Sequence, residues 1–120
     1  GIGDAPVGQI GINAGDNATI RKCTVSSNAL QGIQANSRCT ITDNQVCFNG
    51  SAGNFPGIHC ISNYNTVEGN MCSGNTFGVY VSTSNNLIIR NICSANMISR
   101  LFARPNARPS RPSSISIEQR

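Results

Sequence analysis

One four-residue phrase returns four times in the middle of this chain, and its spacing narrows the possible folds. A glycine followed by an aliphatic residue opens Gly11-Ile12-Asn13-Ala14, Gly32-Ile33-Gln34-Ala35, Gly57-Ile58-His59-Cys60 and Gly78-Val79-Tyr80-Val81, at intervals of 21, 25 and 21 residues. Each phrase is followed by an aliphatic residue (Ile20, Ile41, Val67, Ile88), then a small apolar one (Val25, Val46, Cys72, Cys93), then Asn28, Asn49, Asn75 and Asn96. A unit in the low twenties is too short to enclose a core alone, so successive units must stack into a solenoid.

Within a unit the apolar residues alternate in short runs and never fall at helical spacing. Ile12/Ala14, Ile33/Ala35, Ile58/Cys60 and Val79/Val81 are interleaved with Asn13, Gln34, His59 and Tyr80, which is the period of a strand. Thr19-Ile20, Thr40-Ile41, Thr66-Val67 and Leu87-Ile88 mark a second short strand, and Val25, Val46, Cys72 and Cys93 a third. Turns rich in Asn, Gly and Ser join them. The predicted fold is all-β: a single-stranded parallel β-helix of about four coils with three short sheets.

Coils stacked about 4.8 Å apart turn equivalent residues into columns. The aliphatic columns become inward ladders. Asn44/Asn70/Asn91 and Asn28/Asn49/Asn75/Asn96 become amide ladders at corners, where Asn is also expected to supply the left-handed backbone of a sharp turn. A one-residue slip would exchange the buried and exposed sets. The side-chain inventory suits a narrow core, because aromatics are 5%, charged residues 12%, and there is no Trp.

Charge excludes some partners. The net +4 is carried after Ser99, where Arg100, Arg104, Arg108, Arg111 and Arg120 face only Glu118. The repeat body balances Arg21, Lys22, Arg38 and Arg90 against Asp4, Asp16, Asp43 and Glu68, so nucleic acid is not an expected partner of the coils. No apolar run approaches the ~20 residues that span a bilayer. The expected division is a lead-in at 1–7, a repeat domain at 8–98 and an Arg/Pro/Ser-rich tail at 99–120, disordered or loosely docked.

The outward column of the first strand collects Asn13, Gln34, His59 and Tyr80, amides with an imidazole and a phenol that together suit sugar hydroxyls. The longer second unit places its extra residues in Gly50–Pro56, which adds Asn54 and Phe55 to the ligand-binding candidates. His59, the sole histidine, is the candidate for proton transfer. The competing reading of all six is an ordinary solvated surface with a tolerated insertion. Asp16, Asp43 and Glu68 fall in different columns, so the paired carboxylates of glycoside hydrolysis are not evident.

The cysteines give no metal signature. Cys23, Cys39, Cys47, Cys60, Cys72 and Cys93 include no Cys-x-x-Cys, and one histidine is too few for a Cys/His zinc site, so no metal and no cofactor is expected. Cys60, Cys72 and Cys93 take apolar slots, whereas Cys23, Cys39 and Cys47 are expected at turns or facing outward as the more reactive thiols.

The combined pattern of Gly-aliphatic-x-small, Ile-x-x-Asn and Val/Cys-x-x-Asn resembles the right-handed parallel β-helix repeats of the pectate-lyase-like superfamily. The stretch NLIIRNICSAN from Asn86 to Asn96 is similar to the terminal coils of bacterial secreted β-helix repeat proteins. The resemblance covers residues 8–98 and implies the fold, an extracellular or cell-surface location, and a first sheet whose face and leading loops meet polysaccharide. It does not imply one activity, since that superfamily holds lyases, hydrolases, epimerases and non-catalytic surface proteins. The clustered acids of the resembled lyases and the Asp-Pro-His-Glu run of the resembled epimerases are missing. The expectation is therefore a non-catalytic structural or carbohydrate-contacting segment of a secreted or surface protein. The alternative is a C-terminal remnant of a polysaccharide lyase, epimerase or glycoside hydrolase with its catalytic coils upstream. Apolar coil ends also offer a route to self-association.

Overall fold

The computed structural model describes residues 9–94 and the backbone of a strand at 98–103. The first coil contains β1 (Ile12–Ala14), β2 (Thr19–Arg21) and β3 (Thr24–Ser26), and the second β4 (Ile33–Ala35), β5 (Thr40–Thr42) and β6 (Gln45–Cys47). The third holds β7 (Pro56–Cys60), β8 (Thr66–Glu68) and β9 (Met71–Ser73), and the fourth β10 (Phe77–Val81), β11 (Leu87–Ile89) and β12 (Ile92–Ser94). A last strand, β13 (Ile98–Ala103), begins a fifth turn. The strands sort into three parallel sheets, ordered β1-β4-β7-β10-β13, β2-β5-β8-β11 and β3-β6-β9-β12. The expected three-sided solenoid is what forms.

The columns are in register as the repeat predicts. Ile33 pairs with Ile12 and Ile58, Ile41 with Ile20 and Val67, and Cys72 with Val46 and Cys93. Ile33, Ile41, Ile58, Val67, Val79 and Ile88 are all completely buried. Ile12 and Ala14 are only half-buried, as befits the first described coil. The inward sets are small because the three sheets leave little room between them. Burying each such aliphatic contributes about 1.5–3 kcal/mol relative to exposure.

Packing also explains the repeating glycine. A β-carbon on Gly32 would sit 2.8 Å from Asn49 Nδ2, Gly57 O and Val46 Cγ1, so the chain must enter the first sheet without a side chain. The requirement is close approach, not unusual backbone angles.

Asn ladders run up all three corners. At the second corner Asn44 N–H donates to Asn70 Oδ1 at 2.9 Å, and Asn70 N–H donates to Asn91 Oδ1 at 2.9 Å. At the third, Asn28 and Asn49 donate in the same way to Asn49 and Asn75. The first corner has a shorter ladder that the motif did not reveal, with Cys39 N–H on Asn65 Oδ1 and Asn65 N–H on Asn86 Oδ1. Asn44, Asn49, Asn65, Asn70, Asn75 and Asn91 also donate backwards to a main-chain carbonyl of the coil below, as Asn70 Nδ2 does to Ile41 O at 2.8 Å. Buried backbone groups at a sharp corner must find partners, and the amide ladder supplies them. Asn96 lies outside the described residues.

The left-handed backbone is not where it was expected. It belongs to the residue just before each ladder position: Asn17, Arg38, Tyr64 and Asn85, then Lys22, Asp43 and Arg90, then Ser27 and Phe48, all with φ of 54–67°. The ladder Asn is thus selected for hydrogen bonding, and the turn strain falls on its neighbour.

Cys39, expected at a turn or facing outward, is buried at 1% exposure. It occupies the first-corner ladder position below Asn65, and its Sγ lies 3.0 Å from Gly15 O. Cys23 and Cys47 are half-buried, and Cys60, Cys72 and Cys93 fill apolar slots. β13 runs across the boundary expected at residue 98, and its backbone pairs with β10 as far as Val81↔Ala103 after a register irregularity. The remainder of the expected tail, 104–120, lies outside the described residues.

Candidate functional site

Strand pleating places Asn13, Gln34, His59 and Tyr80 on the outer face of the first sheet, where Asn13 pairs with Gln34, Gln34 with His59 and His59 with Tyr80. Asn13 is exposed and the other three are half-buried. The side chains touch. Gln34 Nε2 donates to Asn13 Oδ1 at 3.3 Å, and the rings of His59 and Tyr80 lie 5.1 Å apart, tilted by 36°. Phe77 closes the far side, with its ring edge-on to Tyr80 at 6.2 Å.

A residue outside the expected set links the strip together. Gln31, in the turn before β4, is buried, with its Nε2 2.9 Å from Gln34 Oε1 and 3.1 Å from His59 Nδ1. Its repeat column holds Ile10, Pro56 and Phe77, so no recurring residue type marked it. Phe77 was missed for the same reason. Burial lowers the His59 pKa below the usual imidazole value, which leaves the ring neutral at pH 7. Its polar partner is an amide. Among the described residues no carboxylate bonds to the ring.

The inserted loop forms a different concavity. Asn54 lines an open cleft of about 480 Å³ with Phe48, Ser51, Gly53, Gly74 and Thr76, at the third corner. Thr76 Oγ1 donates to Gly53 O at 2.9 Å and holds the loop in place. Phe55 is half-buried, its ring 3.5 Å from where a β-carbon on Gly53 would lie. The structure therefore brings Asn13, Gln34, His59 and Tyr80 into one strip and gives Asn54 to the loop cleft.

A third feature lies on the second sheet. A groove of about 530 Å³ gathers Arg21, Thr42, Asp43, Glu68, Gly69 and Arg90. Asp43 and Glu68, in different columns, share this groove because Asp43 is the register neighbour of Gly69, the residue after Glu68. Glu68 is ion-paired with Arg90. Among the described residues no cluster of three or more His, Cys, Asp or Glu could hold a metal ion. No described helix is long and apolar enough to cross a membrane.

Three parallel sheets, corner amide ladders and a glycine-locked first sheet define a parallel β-solenoid with a polar-aromatic strip along its longest sheet. Residues 8–103 match the family described as the right-handed β-helix region, and the chain belongs to that family. Comparison with curated proteins and with solved structures gives no match.

Proposed function

We propose that this domain is a non-catalytic, carbohydrate-contacting β-helix segment that works outside the cell or at its surface, with polysaccharide as the partner. The observation that carries the reading is the strip itself. Two amides, a neutral imidazole and a phenol are held in line by in-register strands, and Tyr80 and Phe77 add aromatic surface on which a sugar ring can stack. Rigid presentation reduces the entropy lost on binding. A glycan array followed by titration of the hits tests it. Binding abolished by His59→Ala or Tyr80→Ala, with the fold retained, supports the strip as the site. Binding that survives both substitutions, or no glycan bound, refutes it.

A second reading, a polysaccharide lyase, epimerase or hydrolase with further coils upstream, draws support from the groove that gathers Asp43, Glu68, Arg21 and Arg90. It predicts release of unsaturated or reducing sugar ends that disappears with Asp43→Asn. Self-association through coil ends is also proposed, since β1, β2 and β3 are edge strands of the described sheets. Sedimentation velocity over a concentration series tests it.

A further inference from the structure

Gln31 is 7% exposed, and its amide joins Gln34 of the second coil to His59 of the third. An amide nitrogen carries two hydrogens and cannot accept. With one hydrogen directed at Gln34 Oε1, the other meets His59 Nδ1, which must then present its lone pair. The proton of the neutral ring is left on Nε2. Gln31 Oε1, on the other side, is buried without a partner. That unpaired acceptor decides the direction of the network. Turning Gln31 end for end would set oxygen against Gln34 Oε1 and bury unpaired N–H donors in place of a single carbonyl, which is the costlier defect.

We propose that Gln31 fixes His59 as the Nε2–H tautomer and ties its protonation to the polarity of the Gln34 and Asn13 amides. A proton arriving from solvent at Nδ1 faces the Gln31 amide nitrogen and has no acceptor. Relief requires Gln31 to turn its Oε1 toward the ring. Gln34 must then turn its Nε2 toward that oxygen, and Asn13 its Nδ2 toward Gln34 Oε1, so that one protonation in the third coil reverses donors and acceptors as far as the first. The groups facing the imidazole are Gln34 from β4, Tyr80 from β10 and Gln31 from the turn before β4; the Tyr80 phenol is the one titratable group among them. The ligand chemistry that follows, and only that, rests on the carbohydrate reading: neutral His59 offers Nε2–H to an acceptor oxygen of the sugar.

The sole histidine makes the test direct, because long-range nitrogen–proton correlation of its ring reports the tautomer in unliganded protein. The expected result is Nε2–H, with the side-chain amide resonances of Gln34 and Asn13 moving at the His59 midpoint. Gln31→Glu places a carboxylate at Nδ1 and raises that midpoint relative to wild type. Gln31→Leu keeps the midpoint visible but uncouples the Asn13 amide from it. Should the leucine variant not fold, the wild-type tautomer and the glutamate variant still decide. An Nδ1–H tautomer, a midpoint unmoved or lowered by Gln31→Glu, or Gln34 and Asn13 amides that ignore the titration overturns the proposal. None of these measurements needs a sugar, so failure of the glycan screen and failure of this coupling are separate results.

Discussion

Truncating one ladder asparagine measures how much the corners stabilise the fold, and two positions with the same chemistry give different answers. In Asn70→Ala, Asn44 N–H loses its acceptor at 2.9 Å, Asn44 Nδ2 loses one at 2.9 Å, and Ile41 O and Asn91 Oδ1 each lose a donor. Lost bonds cost about 1 kcal/mol each, and a buried N–H left without a partner costs roughly 1–3 kcal/mol, for a total of about 4–6 kcal/mol. That is a large part of the 5–15 kcal/mol that typically separates folded from unfolded protein. Asn28 is as deeply buried, but its Oδ1 accepts nothing, so Asn28→Ala removes only the donations to Asn49 Oδ1 and Ser26 O. Its expected cost is about 1–2 kcal/mol plus the same small cavity. Urea denaturation followed by far-ultraviolet circular dichroism gives both values. Equal losses at the two positions would show that the cost comes from volume and not from orphaned backbone donors, and would refute the hydrogen-bond account of the corners.

Three further outcomes follow from the geometry. Gly32→Ala, with three atoms 2.8 Å from the new methyl, should destabilise by about 1–3 kcal/mol, whereas Gly15→Ala meets nothing within 4 Å and should be neutral or slightly stabilising; thermal melts that rank them the other way contradict the packing argument. Phe48 has φ of 57° and is 66% exposed, so Phe48→Asn should add about 0.5–1 kcal/mol by relieving the turn, and a lower denaturation midpoint would argue against strain there. Because folding lowers the His59 pKa, the unfolded chain binds the proton more readily. Stability is therefore full above the ordinary imidazole value of 6.5 and falls as pH drops through it toward the folded value, a slope that His59→Gln should flatten in urea melts between pH 5 and 8.

The coil was legible because its physics is local and repeated. Ile20, Ile41, Val67 and Ile88 recur in the same place in each unit, and parallel stacking converts that recurrence directly into contact. The first-corner ladder of Asn65 and Asn86 escaped notice because Cys39 and Ala18 hold the same position in earlier coils. Repetition was the signal, and there it fails. Cys39 was misplaced for the same reason, a buried ladder position being disguised by a residue without an amide. The strip was half legible. Asn13, Gln34, His59 and Tyr80 follow from strand alternation, but Gln31 reaches them from a turn, and the direction of its amide is set by three-dimensional neighbours that no spacing encodes. Asn54 lay close in sequence to the strip yet folds around a separate corner.

The amide ladders all point one way. From Asn44 onward each ladder oxygen accepts from a main-chain N–H of the preceding winding, so the ladders of the described coils have a direction, with the unpartnered Asn28 Oδ1 at their start. A second copy that continued the corner ladders would therefore have to add head to tail, a heterologous contact that leaves another free pole after each addition and grows filaments instead of closing into a dimer.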